Sequence, residues 1–354
     1  MKLTGRTLVI VVVLVMLGCI SQFRANDRVV HYGEPLNVML IGWDGVQRNH
    51  LKECLARGEV PQLRALADEG ALVAIDILRV TDTKAGWTQI LTGYEPEVTG
   101  VFSNSQYGPI PEGYTVFERL ESHFGPDNVV TVAVIGKKEN VDADGPRRIV
   151  PKKEQAKQAQ AKETKAKQNQ PQQAKKNQLQ QLQQGQEWEP AKPYFYTKRH
   201  MDLFLNGLGK AENVGTKTLE LLDEYKNQRF FFFVHFADPD HAGHQHGENS
   251  AEYNQAIITC DEWLGRIVAR LKELGLYGRT LIYVTADHGF DEGKKVHRDA
   301  PYVFLATNDA GIVRRGGRED IAPTILARFG LDVASIVPPL DGHPLTEPYE
   351  KPLW

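Results

Sequence analysis

The apolar residues of this chain are gathered into short runs that stop at acidic or histidine-bearing loops, and this pattern limits the fold more than any other. Leu36 to Trp43 (LNVMLIGW) stops at Asp44-Gly45, Phe230 to Phe236 (FFFFVHF) stops before ADPDHAGHQHG, and Thr280 to Thr285 stops before ADHGF. Runs this short and apolar on both faces are expected of strands buried from both sides. Val129 to Ile135, followed by Gly136-Lys137, reads the same way, and Ala71 to Ile77 and Tyr302 to Ala306 complete the set. Helical patterns separate them. Pro61 to Glu69 lies between its own proline and Gly70, and Val214 to Asn227 follows later. Tyr253, Ile257, Cys260, Leu264, Ile267, Leu271 and Leu274 recur at helical spacing until Gly275, a stripe that reads as core packing. Asp320 is expected to cap a helix running toward Phe329. Strands alternating with helices predict an α/β fold, a three-layer α/β/α sandwich with a largely parallel central sheet. No internal repeat is visible.

A chain of 354 residues suits one large domain, assigned to 27–354. A net charge of −3 gives the whole molecule no bias toward nucleic acid, and no specific nucleic-acid partner is expected. Residues 152–186 are Lys, Gln and Ala with almost no large apolar side chain, and are read as a low-complexity insertion into that domain. Residues 1–26 read as an export signal. Lys2 and Arg6 precede an apolar stretch too short for a confident membrane span, ending in Met16-Leu17-Gly18-Cys19. That ending resembles the lipobox of bacterial lipoproteins, which implies acylation of Cys19 and a periplasmic or cell-surface protein tethered to the membrane. An uncleaved anchor or a plain secretory signal is the alternative. Cys54 and Cys260 make no disulfide framework, and no zinc-finger spacing is present.

Seven residues carry the chemistry: Asp44, Thr83, Asp240, His244, Asp287, His288 and His297. Three of their settings follow Trp43, Phe236 and Thr285, the C-terminal ends of expected strands, where open α/β sheets bind ligands. Asp240 and His244 would lie close together on a tight glycine-containing loop, and His297 would close a three-ligand set. Asp44, Asp287 and His288 would form a second set. Two metals about 3.5–4 Å apart can clamp the attacking and leaving oxygens of an in-line displacement. The donors suit two zinc ions, with manganese or another divalent ion as the alternative. Three carboxylates against two divalent ions leave one positive charge, which a Thr83 alkoxide would neutralise. Thr81 competes with Thr83 for that role, and His343 with His297 for the last ligand position. His235 is expected to be a satisfied core histidine, and His241 and His246 loop residues.

In these segments the chain resembles the alkaline phosphatase superfamily, and within it the type I phosphodiesterase/nucleotide pyrophosphatase branch, over roughly Val38 to Leu331 outside the insertion. The resemblance implies an alkaline phosphatase-like fold and hydrolysis of a phosphorylated small molecule or a phosphate diester. Thr92-Gly93 points back to Thr83 as nucleophile, and Asn104 in GVFSN is implied to bind a phosphoryl oxygen. The D-x-x-G-H and A-D-H-G loops supply Asp240, His244, Asp287 and His288, with His297 last. Lys84 stands where nucleotide-cleaving members carry an aromatic residue, which argues against a nucleotide substrate. TDTKAG lacks the Cys or Ser setting of formylglycine sulfatases. Gly136-Lys137 nevertheless resembles their sulfate-contacting segment, so Lys137 is a candidate for offsetting a monoester's charge. Sulfuric or phosphonate ester hydrolysis, transfer to an alcohol, and a non-catalytic metal-containing protein binding an anion or glycan are the rival readings.

Overall fold

A computed structural model describes residues 36–78, 80–138, 141–145, 191–300 and 302–349. The export signal with Cys19 and the insertion at 152–186 lie outside the described residues.

Strand direction follows from what connects the strands. β1 (Asn37–Trp43), β2 (Ala71–Asp76), β3 (Val130–Ile135), β4 (Leu203–Asn206), β5 (Phe230–Phe236), β6 (Thr280–Thr285), β7 (Tyr302–Thr307) and the two-residue β8 (Gly316–Gly317) form one sheet in the order β4-β3-β5-β1-β6-β7-β2-β8. β1, β3, β4, β5 and β6 pair in parallel, with helices on the described connections into β3, β5 and β6. A connection without a helix joins β6 to β7, and β7 runs antiparallel to both of its neighbours, β6 and β2. The sheet is therefore largely parallel, as expected.

Side-chain alternation along β5 shows the layers directly. Phe231 and Phe233 face Phe117 and Trp87, with ring centroids 5.0 and 5.2 Å apart, while Phe232 faces Tyr225 on the other side at 6.2 Å. Trp87 lies on α3 (Thr83–Thr92), Phe117 on α4 (Val116–Phe124) and Tyr225 on α5 (Ala211–Tyr225). Helices thus cover both faces. On the α5 side α7 (Ala251–Glu273) packs against α5 and α2 (Pro61–Glu69), and on the other α8 (Ile321–Arg328) packs against α3 and α4. All seven β1 residues and all seven β5 residues are buried. Gly42 is required here, because a Cβ would fall 2.3 Å from the Trp87 indole.

Two local expectations change. Asp240 and His244 lie on a helix, α6 (Asp238–His246), with Pro239 in its first turn and acidic residues at its start and histidines at its end, as the helix dipole favours. Asp320 does not cap α8 with its side chain. Its carboxylate accepts instead from Gly317 N and His343 N at 3.0 and 2.8 Å, and a 3-10 turn leads into the helix. Cys54 and Cys260 are both free and buried, Cys54 on α1 (Arg48–Arg57) and Cys260 on α7. Among the described residues no helix is long and apolar enough to cross a membrane.

Candidate active site

Four adjacent parallel strands deliver their C-terminal ends to one place. β1 ends in Asp44, β5 leads through Ala237 into the helix carrying Asp240, β6 leads to Asp287 and His288, and β3 leads to Lys137. Asp44, Asp240, Asp287 and His288 are all fully buried. Gly45, at φ 78°, lets the chain turn away beneath Asp240, where a Cβ would be 3.0 Å from the Asp240 Cα, and its N–H donates to Asp287 Oδ1 at 3.3 Å.

His288 is the hub. Its Nδ1 lies 3.0 Å from the Gly289 carbonyl, so Nδ1 carries the proton and Nε2 turns a lone pair inward. Around Nε2 lie Thr83 Oγ1 at 3.1 Å, Asp44 Oδ1 at 3.4 Å, Asp287 Oδ2 at 3.5 Å and Asp240 Oδ1 at 3.7 Å. Those three carboxylate oxygens are buried and accept no well-formed hydrogen bond among the described residues. Buried acceptors without donors are costly, and three of them converging on an imidazole lone pair is a donor set for cations. Asp44, Asp240 and His288 hold their donor atoms within 4.8 Å of one another. Asp240, His244 and His297 do the same beside them.

The first expected set, Asp240, His244 and His297, is therefore brought together as read. In the second, Asp44 and Asp287 both lie against His288, and Asp240 comes within reach of this set as well as the first. The α6 helix explains this, because it points Asp240 between the two sets. His244 Nδ1 donates to the Lys295 carbonyl at 2.9 Å, leaving Nε2 3.3 Å from Asp240 Oδ1. His297 stacks on His288 with ring centroids 3.9 Å apart.

The charges are strongly coupled. Burial pushes the Asp287 carboxyl well above its usual range, and repulsion from Asp44 and Asp240 adds to this. Burial and Asp240 also push Asp44 up, but Lys137 and the hydrogen bond from His235 outweigh them and hold it low. Asp240 is held low against its own burial by His244, His288 and Lys137. Burial lowers His297 to about 4, assisted by repulsion from His288, and lowers His288 as well. Both imidazoles are thus neutral donors at neutral pH.

Thr83 is the first residue of α3, at the positive end of the helix dipole. The preceding Asp82 accepts from Asn104 N at 3.0 Å, and Asn104 Oδ1 accepts from Lys84 N at 2.9 Å. Asn104 is thereby fixed against the Thr83 turn with its carboxamide oxygen engaged. Thr81 donates its hydroxyl to the His297 carbonyl, which leaves Thr83 as the hydroxyl on the hub. Lys137 Nζ sits 2.5 Å from Asp240 Oδ2, so it is paired with a candidate ligand. His343 stacks on Tyr349 at 3.7 Å, outside both donor sets. His241 and His246 lie on α6 and join neither set.

Two buried residues were not read as part of the site. His235 Nε2 is 2.9 Å from Asp44 Oδ2, so this strand histidine orients a candidate ligand, while its Nδ1 has no partner among the described residues. The continuous apolar run of FFFFVHF marks it as buried, but nothing local points to Asp44. Arg318 donates to the carbonyls of Asp287 and Val80, both at 2.7 Å, tying the Asp287 turn to the approach to Thr83. Burial lowers it to about 10. A cavity of about 440 Å³ opens beside His244 and His297 and is lined also by Thr81, Asp82 and Arg298.

The sequence profile of the type I phosphodiesterase / nucleotide pyrophosphatase family matches residues 38–332. The chain is 22% identical to the bis(5'-adenosyl)-triphosphatase of Homo sapiens over 290 residues, covering 80% of this chain and 53% of that protein. It is 36% identical over 132 residues to the 2,3-bisphosphoglycerate-independent phosphoglycerate mutase of Clostridium botulinum, covering 34% of this chain and 24% of the mutase. It therefore spans only a quarter to a half of the length of these curated relatives. An alkaline phosphatase superfamily protein of Vibrio parahaemolyticus shares the fold at a TM-score of 0.56 and 15% identity, over 91% of this chain and 72% of that one. With the profile spanning most of its length and the neighbouring fold alkaline phosphatase-like, the chain belongs to the type I phosphodiesterase / nucleotide pyrophosphatase family.

Proposed function

We propose that the chain hydrolyses phosphoric esters by in-line displacement from Thr83. The observation that carries this reading is the convergence of Thr83 Oγ1 and three buried carboxylate oxygens, none accepting a well-formed hydrogen bond among the described residues, on the lone pair of His288 Nε2. Asp240, His244 and His297 would hold one divalent ion, and Asp44, His288, Asp287 and Thr83 the other, zinc being favoured by the mixed imidazole and carboxylate donors. When bound, such ions polarise phosphoryl oxygens and lower the pKa of a coordinated hydroxyl.

The chain's own groups account for the rest. Thr83 Oγ1 forms a bond to phosphorus as the bond to the leaving oxygen breaks, and the hydroxyl proton departs to solvent. Asn104, its carboxamide oxygen already engaged by Lys84 N, presents its Nδ2 as a donor to a non-bridging oxygen. Water then cleaves the phosphothreonine and restores the hydroxyl.

The test is turnover of matched p-nitrophenyl esters (phosphate monoester, phosphate diester, phosphonate monoester and sulfate) by metal-loaded protein. Hydrolysis is expected to favour a phosphoric ester, to vanish with EDTA, and to fall by about 10³-fold or more in Thr83→Ala. Turnover of Thr83→Ala at the wild-type rate would remove Thr83 as nucleophile. A preference for the sulfate would replace the reaction class.

A further inference from the structure

The two donor sets differ in how they are held. Asp44, Asp287 and His288 are fully buried just past strand ends, whereas of the outer set only Asp240 is fully buried, the His244 side chain being 43% exposed and His297 sitting on the loop after Asp291. That outer set therefore depends on what fixes the loop. Lys295 supplies the carbonyl that orients His244, and His297 follows two residues later.

A buried carboxylate outside the site fastens this loop. Glu248, 1% exposed, accepts from Gly293 N at 2.9 Å, and its own N–H donates to the Lys294 carbonyl at 3.0 Å. Its second carboxylate oxygen lies 2.8 Å from His50 Nδ1. His50 Nε2 faces Asn254 Oδ1 at 3.1 Å. The orientation of Asn254 is fixed, because that same oxygen accepts from Arg57 at 2.7 Å while its Nδ2 donates to Glu59 at 3.2 Å. Both His50 nitrogens therefore face acceptors, so both carry protons and the ring is an imidazolium. Its pKa, lowered by burial but raised further by Cys54 and Glu248, is pushed up to about 10. The ring also meets Tyr253 edge-on at 4.9 Å, and the Tyr253 hydroxyl donates to the Gly45 carbonyl next to Asp44.

We propose that Glu248, paired with His50, is a positioning residue that sets the metal affinity of the Asp240–His244–His297 set without touching it. A charged acceptor holding one loop residue and a backbone donor holding the next fix the height of Lys295, and with it the His244 tautomer and the reach of His297. Partners of this kind, one step removed from the ligands, typically change metal affinity 10–100-fold. The inference rests on the reading that both donor sets hold divalent ions.

The experiment is calorimetric titration of Zn²⁺ and Co²⁺ into metal-free wild type, Glu248→Gln and His50→Gln, with His244→Ala marking which binding phase belongs to the outer set. Glu248→Gln is expected to weaken the outer phase about 10–100-fold and to leave the inner phase within about twofold of wild type. His50→Gln keeps the Gly293 bond, is expected to weaken the outer phase several-fold, and decides the matter where Glu248→Gln does not fold. Unchanged outer affinity in the folded variants, or equal weakening of both phases, overturns the proposal. Wild-type protein that binds fewer than two ions refutes the two-metal reading itself, and the proposal with it.

Discussion

Replacing His235 tests whether the centre is held from within the sheet. His235 Nε2 donates to Asp44 Oδ2 at 2.9 Å, and both side chains are fully buried. A hydrogen bond to a buried charge is worth about 1.5–3 kcal/mol. At 1.4 kcal/mol per tenfold, that corresponds to roughly 10–100-fold in the affinity of the metal that Asp44 would hold. His235→Ala also opens a void beside Trp87 and Phe233, whose rings lie 5.2 and 6.1 Å away, so an overall stability loss of about 2–4 kcal/mol is expected on top. His235→Gln separates the two effects, because an amide N–H can occupy the Nε2 position and most of the volume is kept. Zinc titration followed by calorimetry should show the inner affinity falling about 10–100-fold in the alanine variant and largely recovering in the glutamine variant. The outer phase should move little. Wild-type affinity in folded His235→Ala, or a glutamine variant no better than alanine, would refute the reasoning. This signature is the reverse of the one expected for Glu248→Gln, so the two variants together assign the binding phases.

Lys137 should matter most when metal is absent. Its ammonium sits against Asp240 within a cluster of three buried carboxylates, so Lys137→Met should cost about 2–3 kcal/mol in EDTA-treated protein and less after zinc is added, read from denaturant midpoints in the two states. An equal loss in both states would show that the lysine does not offset those charges. Asp261 provides the pH dependence. Burial raises its carboxyl to about 6, above the unfolded value, so the folded protein holds the proton more tightly. The stability this contributes is complete below about pH 4 and is lost as pH rises through about 6. Asp261→Asn removes the titration and keeps an oxygen for only one of the Gln62 and Leu63 N–H groups, so this variant starts less stable but metal-free protein should lose up to about 2 kcal/mol less than wild type between those pH values in urea unfolding. A slope identical to wild type would show that Asp261 does not titrate there.

How much of the site is legible in the sequence depends on the range over which each contact is specified. Asp44, Asp287 and His288 could be placed because each terminates an apolar strand, and parallel strands in one sheet end at one edge. The α/β class was legible for the same reason. The antiparallel β7 was not, since a run of buried residues carries no record of its direction. The loop reading of Asp240 and His244 failed because glycine and proline signal a turn only when the flanking charges do not favour a helix. Here acidic residues at the start and histidines at the end did so, and Gly243 is small because Phe290 lies 2.5 Å from where its Cβ would be. The place of Asp240 between the two sets follows from that helix and had no sequence signal of its own. His235 to Asp44, Arg318 to Asp287 and Glu248 to Gly293 are tertiary contacts between residues whose local patterns speak only of burial or of turns. The donors are therefore readable from where strands stop, while the groups that aim them are fixed by packing between elements far apart in the chain. Substitutions at His235 and Glu248 should accordingly alter metal affinity without altering any residue that the sequence alone marks as a ligand.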